Sequence, residues 1–140
     1  MDTQRRFAWH GMLLFLLGLL MGAVVQSVAN PRIGLSAHVG AILNGTFLIA
    51  LGAVWGWVTL APAATAAAYW LAVAGSYASC VSLFLAGVFG TSRSTPLHGA
   101  GHGGTPWEEG LVETGLVLGA LAVLLSSALV LWGLRSRRGG

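Results

Sequence analysis

Lysine is absent from this sequence, and acids are nearly so: Asp2, Glu108, Glu109 and Glu113 are the whole anionic complement of 140 residues. Charged side chains make up 8% of the chain against 56% hydrophobic, where a soluble domain carries roughly a quarter charged residues to cover its surface. Too little charge is present to face water on all sides, so the solvent this chain is built for is lipid. A single cysteine, Cys80, excludes an intramolecular disulfide. It lies in an apolar run and reads as a buried, inert thiol. The net charge of +3 comes from arginines gathered near the chain ends. No basic face with interleaved aromatics exists, which argues against nucleic-acid binding. Paired carboxylates, a nucleophile elbow, a phosphate-cradling glycine loop and a Cys-x-x-Cys pair are missing as well, and with them the usual soluble hydrolases and redox folds.

What is present is long apolar runs. About 20 apolar residues cross the roughly 30 Å hydrocarbon core of a bilayer as a helix. Four segments meet that length, at about 7–29, 35–60, 63–89 and 107–134. The fold expected is all-α: one domain, a four-helix transmembrane bundle. The first run outlasts the roughly 7–15 residues of a signal peptide's apolar region, so it reads as a retained span. Asn30, Pro31 and Arg32 break the first helix from the second, and Ala61 with Pro62 ends the second. Thr105, Pro106 and Glu108 form a capping-box start for the fourth.

Arginine placement orients the bundle. Arg5, Arg6, Arg135, Arg137 and Arg138 fall on one side, Arg32 and Arg93 on the other. The positive-inside rule then puts both termini in the cytoplasm of a multi-pass protein of the cell membrane. Most tryptophans lie near helix ends, where indole favours the interface. The 21 glycines suit close helix packing. Gly18 with Gly22, Gly52 with Gly56, and Gly115 with Gly119 make small-xxx-small faces, and Gly75, Ser79, Ser82 and Ala86 line one side of the third helix. Such faces serve packing within one bundle or between subunits.

Polar side chains at membrane depth are costly, which makes them candidates for function. The densest set is Ser36, His38, Asn44 and Thr46 on the second helix. A neutral imidazole at His38 can bind a metal through one ring nitrogen, including haem iron, or it can be a satisfied interfacial histidine. Gly34 and Gly40 flank it and leave room for a flat macrocycle. Asn44 points about 120° away from His38 around the helix. The two therefore address one ligand most simply if that ligand lies between subunits; otherwise Asn44 makes an interhelical hydrogen bond. His10 reads as an interface residue or, with Arg5 or Arg6, as support for a cofactor carboxylate. Tyr77 reads as a packed aromatic or a donor into a pocket. His98 and His102 fall short of a tetrahedral metal set, and their Gly-rich loop, 90–105, reads as flexible and solvated.

Two stretches carry a family resemblance. Arg6, Phe7, Ala8, Trp9, His10 and Gly11, followed by Met12 to Phe15, resemble the opening of the styrene oxide isomerases. Ala37, His38, Val39, Gly40, Ala41, Ile42, Leu43, Asn44 and Gly45 resemble their Ala-His-Ser-Gly-x-x-Leu-Asn-Gly signature. The order of four helices and a Gly/Pro-rich loop before the last agree. The resemblance implies a homotrimer with haem b between subunits, rearranging a small apolar epoxide to an aldehyde with ferric iron as Lewis acid. His38 would be the axial, iron-binding ligand and Asn44 would hydrogen-bond the substrate oxygen; His10 and Tyr77 are the further candidates, for the cofactor and for catalysis. The family also has an aspartate on its third helix and a tyrosine eight residues later. Residues 74–86 here contain no acid, and Tyr77 is not at the matching place. A haem protein of sensing, redox or haem-handling role, and a non-catalytic four-helix subunit, are the other readings.

Overall fold

The computed structural model describes residues 2–135. Arg137 and Arg138, on which part of the orientation argument rests, lie outside them. Among the described residues the chain is all-helical, with four long helices and no strand. Helix α1 spans Thr3–Val24, α2 Pro31–Val54, α3 Pro62–Phe89 and α4 Pro106–Arg135. All four are long and apolar enough to cross a bilayer, so this is a multi-pass membrane protein.

The ends of the helices follow from local chemistry. Asp2 accepts the Arg5 amide at 2.8 Å, which starts α1 ahead of Phe7 and draws Arg5 and Arg6 into its first turns. Asn30 caps α2 by accepting from the amides of Arg32 and Ile33, with Pro31 at the first helical position. Short 3₁₀ turns, Val25–Ser27 and Trp55–Trp57, finish α1 and α2. Gly90 ends α3 at φ 70°, a left-handed cap that glycine adopts without a Cβ clash. At α4 the Glu108 carboxylate reaches back to the Thr105 amide at 2.7 Å, the return half of the expected capping box.

Two backbone seams organise the packing. Along the α1–α2 seam a Cβ on Gly11 would lie 2.6 Å from the Gly45 carbonyl oxygen, and one on Gly18 would lie 3.0 Å from Ala41 Cβ. Along the α3–α4 seam a Cβ on Gly75 would lie 2.9 Å from the Gly119 carbonyl oxygen. Ser126 fixes that pair by donating to the Ala68 carbonyl at 2.7 Å. Helices α2 and α3 meet where Gly87 faces Gly34. The expected small-residue faces therefore pack inside one chain: Gly18 and Gly22 on α2, Gly52 on Gln4 and Phe7, Gly115 and Gly119 on α3. Helix α4 rests chiefly on α3, so the helices form a row rather than a closed square.

The core lies between α1, α2 and α3, around Phe7, Leu14, Leu48, Tyr69 and Cys80. Trp55 belongs to it, its ring 4.8 Å from that of Phe7. It lies at a helix end, as expected, but is buried, whereas Trp9, Trp57, Trp70, Trp107 and Trp132 are exposed.

Filling the first seam should be costly. Gly11→Val is expected to destabilise the protein by about 1–3 kcal/mol through overpacking, whereas Gly110→Ala, with nothing within 4 Å of the new methyl, should fall within about 0.5 kcal/mol of the parent. Thermal unfolding in detergent, followed by circular dichroism, measures both.

Candidate functional site

His38 sits on α2 against α1, and the contact is specific. Its Nδ1 lies 2.7 Å from the Gly18 carbonyl oxygen. A carbonyl only accepts, so Nδ1 carries the proton and donates. The Nε2 lone pair is then left free, and Nε2 has no partner among the described residues. This is the arrangement found behind metal-bound imidazoles, where the second nitrogen donates to a backbone carbonyl, fixes the tautomer and raises the basicity of the first. Gly22 makes room for the ring: a Cβ there would lie 2.6 Å from Nδ1. The side chain is half-buried, neither sealed in the core nor loose at the surface.

Asn44 stands about 9 Å further along the α2 axis. One of its amide hydrogens goes to the Gly40 carbonyl at 2.9 Å. This bond turns back onto its own helix, where an interhelical hydrogen bond was the structural alternative. The carbonyl oxygen and second amide hydrogen of Asn44 have no partner among the described residues. Two polar groups with uncommitted valence, His38 Nε2 and the Asn44 amide, thus share the middle of α2. Ser36 and Thr46 donate to the carbonyls four residues back and are satisfied within the helix.

His10 and Tyr77 come together with each other and not with His38. The Tyr77 hydroxyl lies 3.4 Å from both His10 Nδ1 and the His10 carbonyl oxygen. The rings meet edge to face, 5.8 Å apart. The pair ties the first half of α1 to the middle of α3.

The Gly-rich loop is not the flexible segment its composition suggested. Glu109, buried in α4, accepts from the amides of Ser92, Arg93 and Gly104. Asn30, buried at the start of α2, donates to the His98 carbonyl at 2.9 Å. His102 spends both ring nitrogens: Nε2 donates to the Ala29 carbonyl at 3.2 Å and Nδ1 accepts from Asn30 at 3.5 Å. It is a strut rather than a spare ligand. Among the described residues no three of His, Cys, Asp or Glu gather to hold a bare metal ion; a haem iron needs a single axial side chain. Glu109 and Asn30 escaped the sequence reading. The available signal was an acid one turn inside an apolar helix, a costly placement that calls for partners.

The structure thus combines four membrane-length helices with an oriented, half-buried imidazole and an uncommitted amide on one of them. The chain belongs to the styrene oxide isomerase family, whose model matches residues 3–135. Among curated proteins it is similar to hydroxylaminobenzene mutase HabB of Ectopseudomonas oleovorans, 46% identical over 94% of this chain and 81% of the relative. It is also similar to hydroxylaminobenzene mutase HabA of the same organism, 33% identical over 86% of this chain and 90% of the relative. No solved structure matches. Family and relatives together indicate an isomerase-type activity.

Neutralising the loop anchor should release it. In Glu109→Gln the amides of Ser92, Arg93 and Gly104 are expected to exchange with deuterium roughly tenfold faster or more, since hydrogen bonds to a charged group are worth about 1.5–3 kcal/mol. Hydrogen-exchange mass spectrometry over residues 90–105 reads this directly.

Proposed function

We propose that this chain is an intramembrane mutase of an aromatic hydroxylamine, moving oxygen from nitrogen to a ring carbon of the same molecule. The N–O bond breaks, a C–O bond forms, and a proton passes from the ring to nitrogen, so the product is an aminophenol isomeric with the substrate. The observation that carries the reading is the oriented imidazole of His38, in a chain whose curated relative at 46% identity is named a hydroxylaminobenzene mutase. The family's own name supports a second reading, isomerisation of an apolar epoxide to an aldehyde. Both reactions cleave a bond to an activated oxygen without net oxidation, which is why one scaffold suits either.

His38 would hold haem b through Nε2, which is free, while its Nδ1–H is anchored on Gly18 and the half-buried ring sits at the α1–α2 seam. When bound there, ferric haem supplies a Lewis acid for the substrate oxygen. In this reading the group would be held between copies of a homotrimer, as the family resemblance implies, and Asn44 of a neighbouring copy would complete the site. The chain's own residues do the remainder. Gly18 holds the imidazole in one tautomer. The free hydrogen of the Asn44 amide donates to the substrate oxygen as charge develops on it, while its carbonyl can accept the N–H of a hydroxylamine. Tyr77 and His10, already in contact, offer a hydroxyl–imidazole pair for moving the proton. The four helices present an apolar route from the bilayer, which suits an uncharged aryl substrate.

Purified protein is expected to show a Soret band and to convert hydroxylaminobenzene to an aminophenol, with no label entering from ¹⁸O water. His38→Ala should abolish both band and turnover. An unchanged Soret band in that variant would move the iron ligand elsewhere. Aldehyde from an aryl epoxide, with no aminophenol from the hydroxylamine, would establish the second reading instead. Tyr77→Phe is expected to lower kcat by about 10²-fold if the pair handles the proton, leaving haem content unaltered.

A further inference from the structure

Away from His38, at the end of the molecule where α1 and α3 begin, a cleft of about 420 Å³ opens between those two helices. Arg6, Thr65, Tyr69 and Trp70 line it together with Leu60 and Pro62. The Arg6 guanidinium lies over the Tyr69 ring, 4.7 Å from its centroid, and over the Trp70 ring at 5.6 Å. Stacking on two aromatic faces holds the fork flat and leaves its N–H edges free, the presentation that matches a phosphate oxygen pair. The single ion pair between side chains of the described residues is Arg93 with Glu113, so Arg6 keeps its charge for another partner. No acid lines the cleft.

Two more features point to an anion. Tyr69 is buried, and its hydroxyl has no hydrogen-bond partner; an acceptor reaching past Arg6 would give it one. Helix α3 starts at Pro62 with no side-chain cap, which leaves the positive end of its dipole beside the same opening. The other walls, Leu60, Pro62 and the exposed ring of Trp70, are apolar and sit where a bilayer interface would cut α1 and α3. A soluble anion has no use for those walls. An amphiphile does.

We propose that this cleft is a binding site for an anionic phospholipid, with Arg6 forking onto the headgroup phosphate, Tyr69 donating to it, and the acyl chains running down past Trp70. The arginine distribution assigns this end to the cytoplasm, whose leaflet carries the anionic lipids. The cleft is separate from His38, although Tyr69 also meets the His10 ring edge to face at 6.5 Å.

The test is native mass spectrometry of the full-length protein in detergent, titrated with phosphatidylglycerol or phosphatidylcholine of matched chains. Phosphatidylglycerol adducts should predominate, and Arg6→Gln should cut them about fivefold, the loss expected for one arginine at an anionic surface. Arg6→Lys keeps the charge but neither stacks nor forks as arginine does, and should recover only part of the loss. Arg5→Gln, whose side chain lines a different cleft with Asp2 and Gln4, should leave the adducts unchanged. Equal adducts in Arg6→Gln, or an equal loss in Arg5→Gln, would overturn the proposal in favour of diffuse surface charge. Displacement of the lipid by millimolar inorganic phosphate would assign the cleft to a soluble anion and overturn it too. Should Arg6→Gln fail to fold by circular dichroism, the comparison of Arg6→Lys with Arg5→Gln decides.

Discussion

The contact between the backbones of α1 and α2 is the constraint on which the site depends. In lipid there is no hydrophobic gain from bringing two apolar helices together; close van der Waals packing and hydrogen bonds must do it. Gly11 and Gly45 let the two main chains touch, and Gly18 with Ala41 keeps them touching further along. Only at that separation can the imidazole of His38 reach a carbonyl of the neighbouring helix while lying over Gly22. Widen the seam by one methyl and the histidine loses its anchor, its defined tautomer and its place. The glycines are thus part of the site although none of them has chemistry to offer.

The loop at the start of α2 shows the same economy with different means. Its glycines, serines and threonines have no core of their own, and order comes from two buried polar residues outside it. Asn30 caps α2 and holds His98 in one gesture, with its carbonyl oxygen turned to the helix and its amide to the loop. Glu109 closes three loop amides onto α4. A buried carboxylate with three backbone donors is satisfied in a way that a lone acid at that depth is not.

How far the sequence could be read depended on whether a residue's partner leaves a mark in the sequence. Missing charge made the four helices legible, and the capping box of Thr105 and Glu108 was legible because capping is local. His38 stood out because a polar group in an apolar helix is expensive. Its partner did not, since a backbone carbonyl on another helix has no residue signature. The same blindness covered the loop: composition reports that 90–105 cannot form a core, not that Glu109 and Asn30 will hold it. Trp55 misled because indole suits both an interface and an aromatic core, and only the ring of Phe7 decides between them. The family came from two short stretches, Arg6 to Phe15 and Ala37 to Gly45. The proposed hydroxylamine substrate did not; it rests on the names of the two relatives.

Both tight seams join helices that are neighbours in sequence, linked by a handful of residues around 25–30 in one case and by the loop 90–105 in the other. Each pair is therefore complete as a hairpin once its second helix has been synthesised. The ribosome delivers α1 and α2 before α3 exists, so both partners of the His38–Gly18 hydrogen bond are present in the chain before the second hairpin is made. Order in the chain and closeness of packing coincide, and the contacts that set the imidazole lie wholly within the first hairpin.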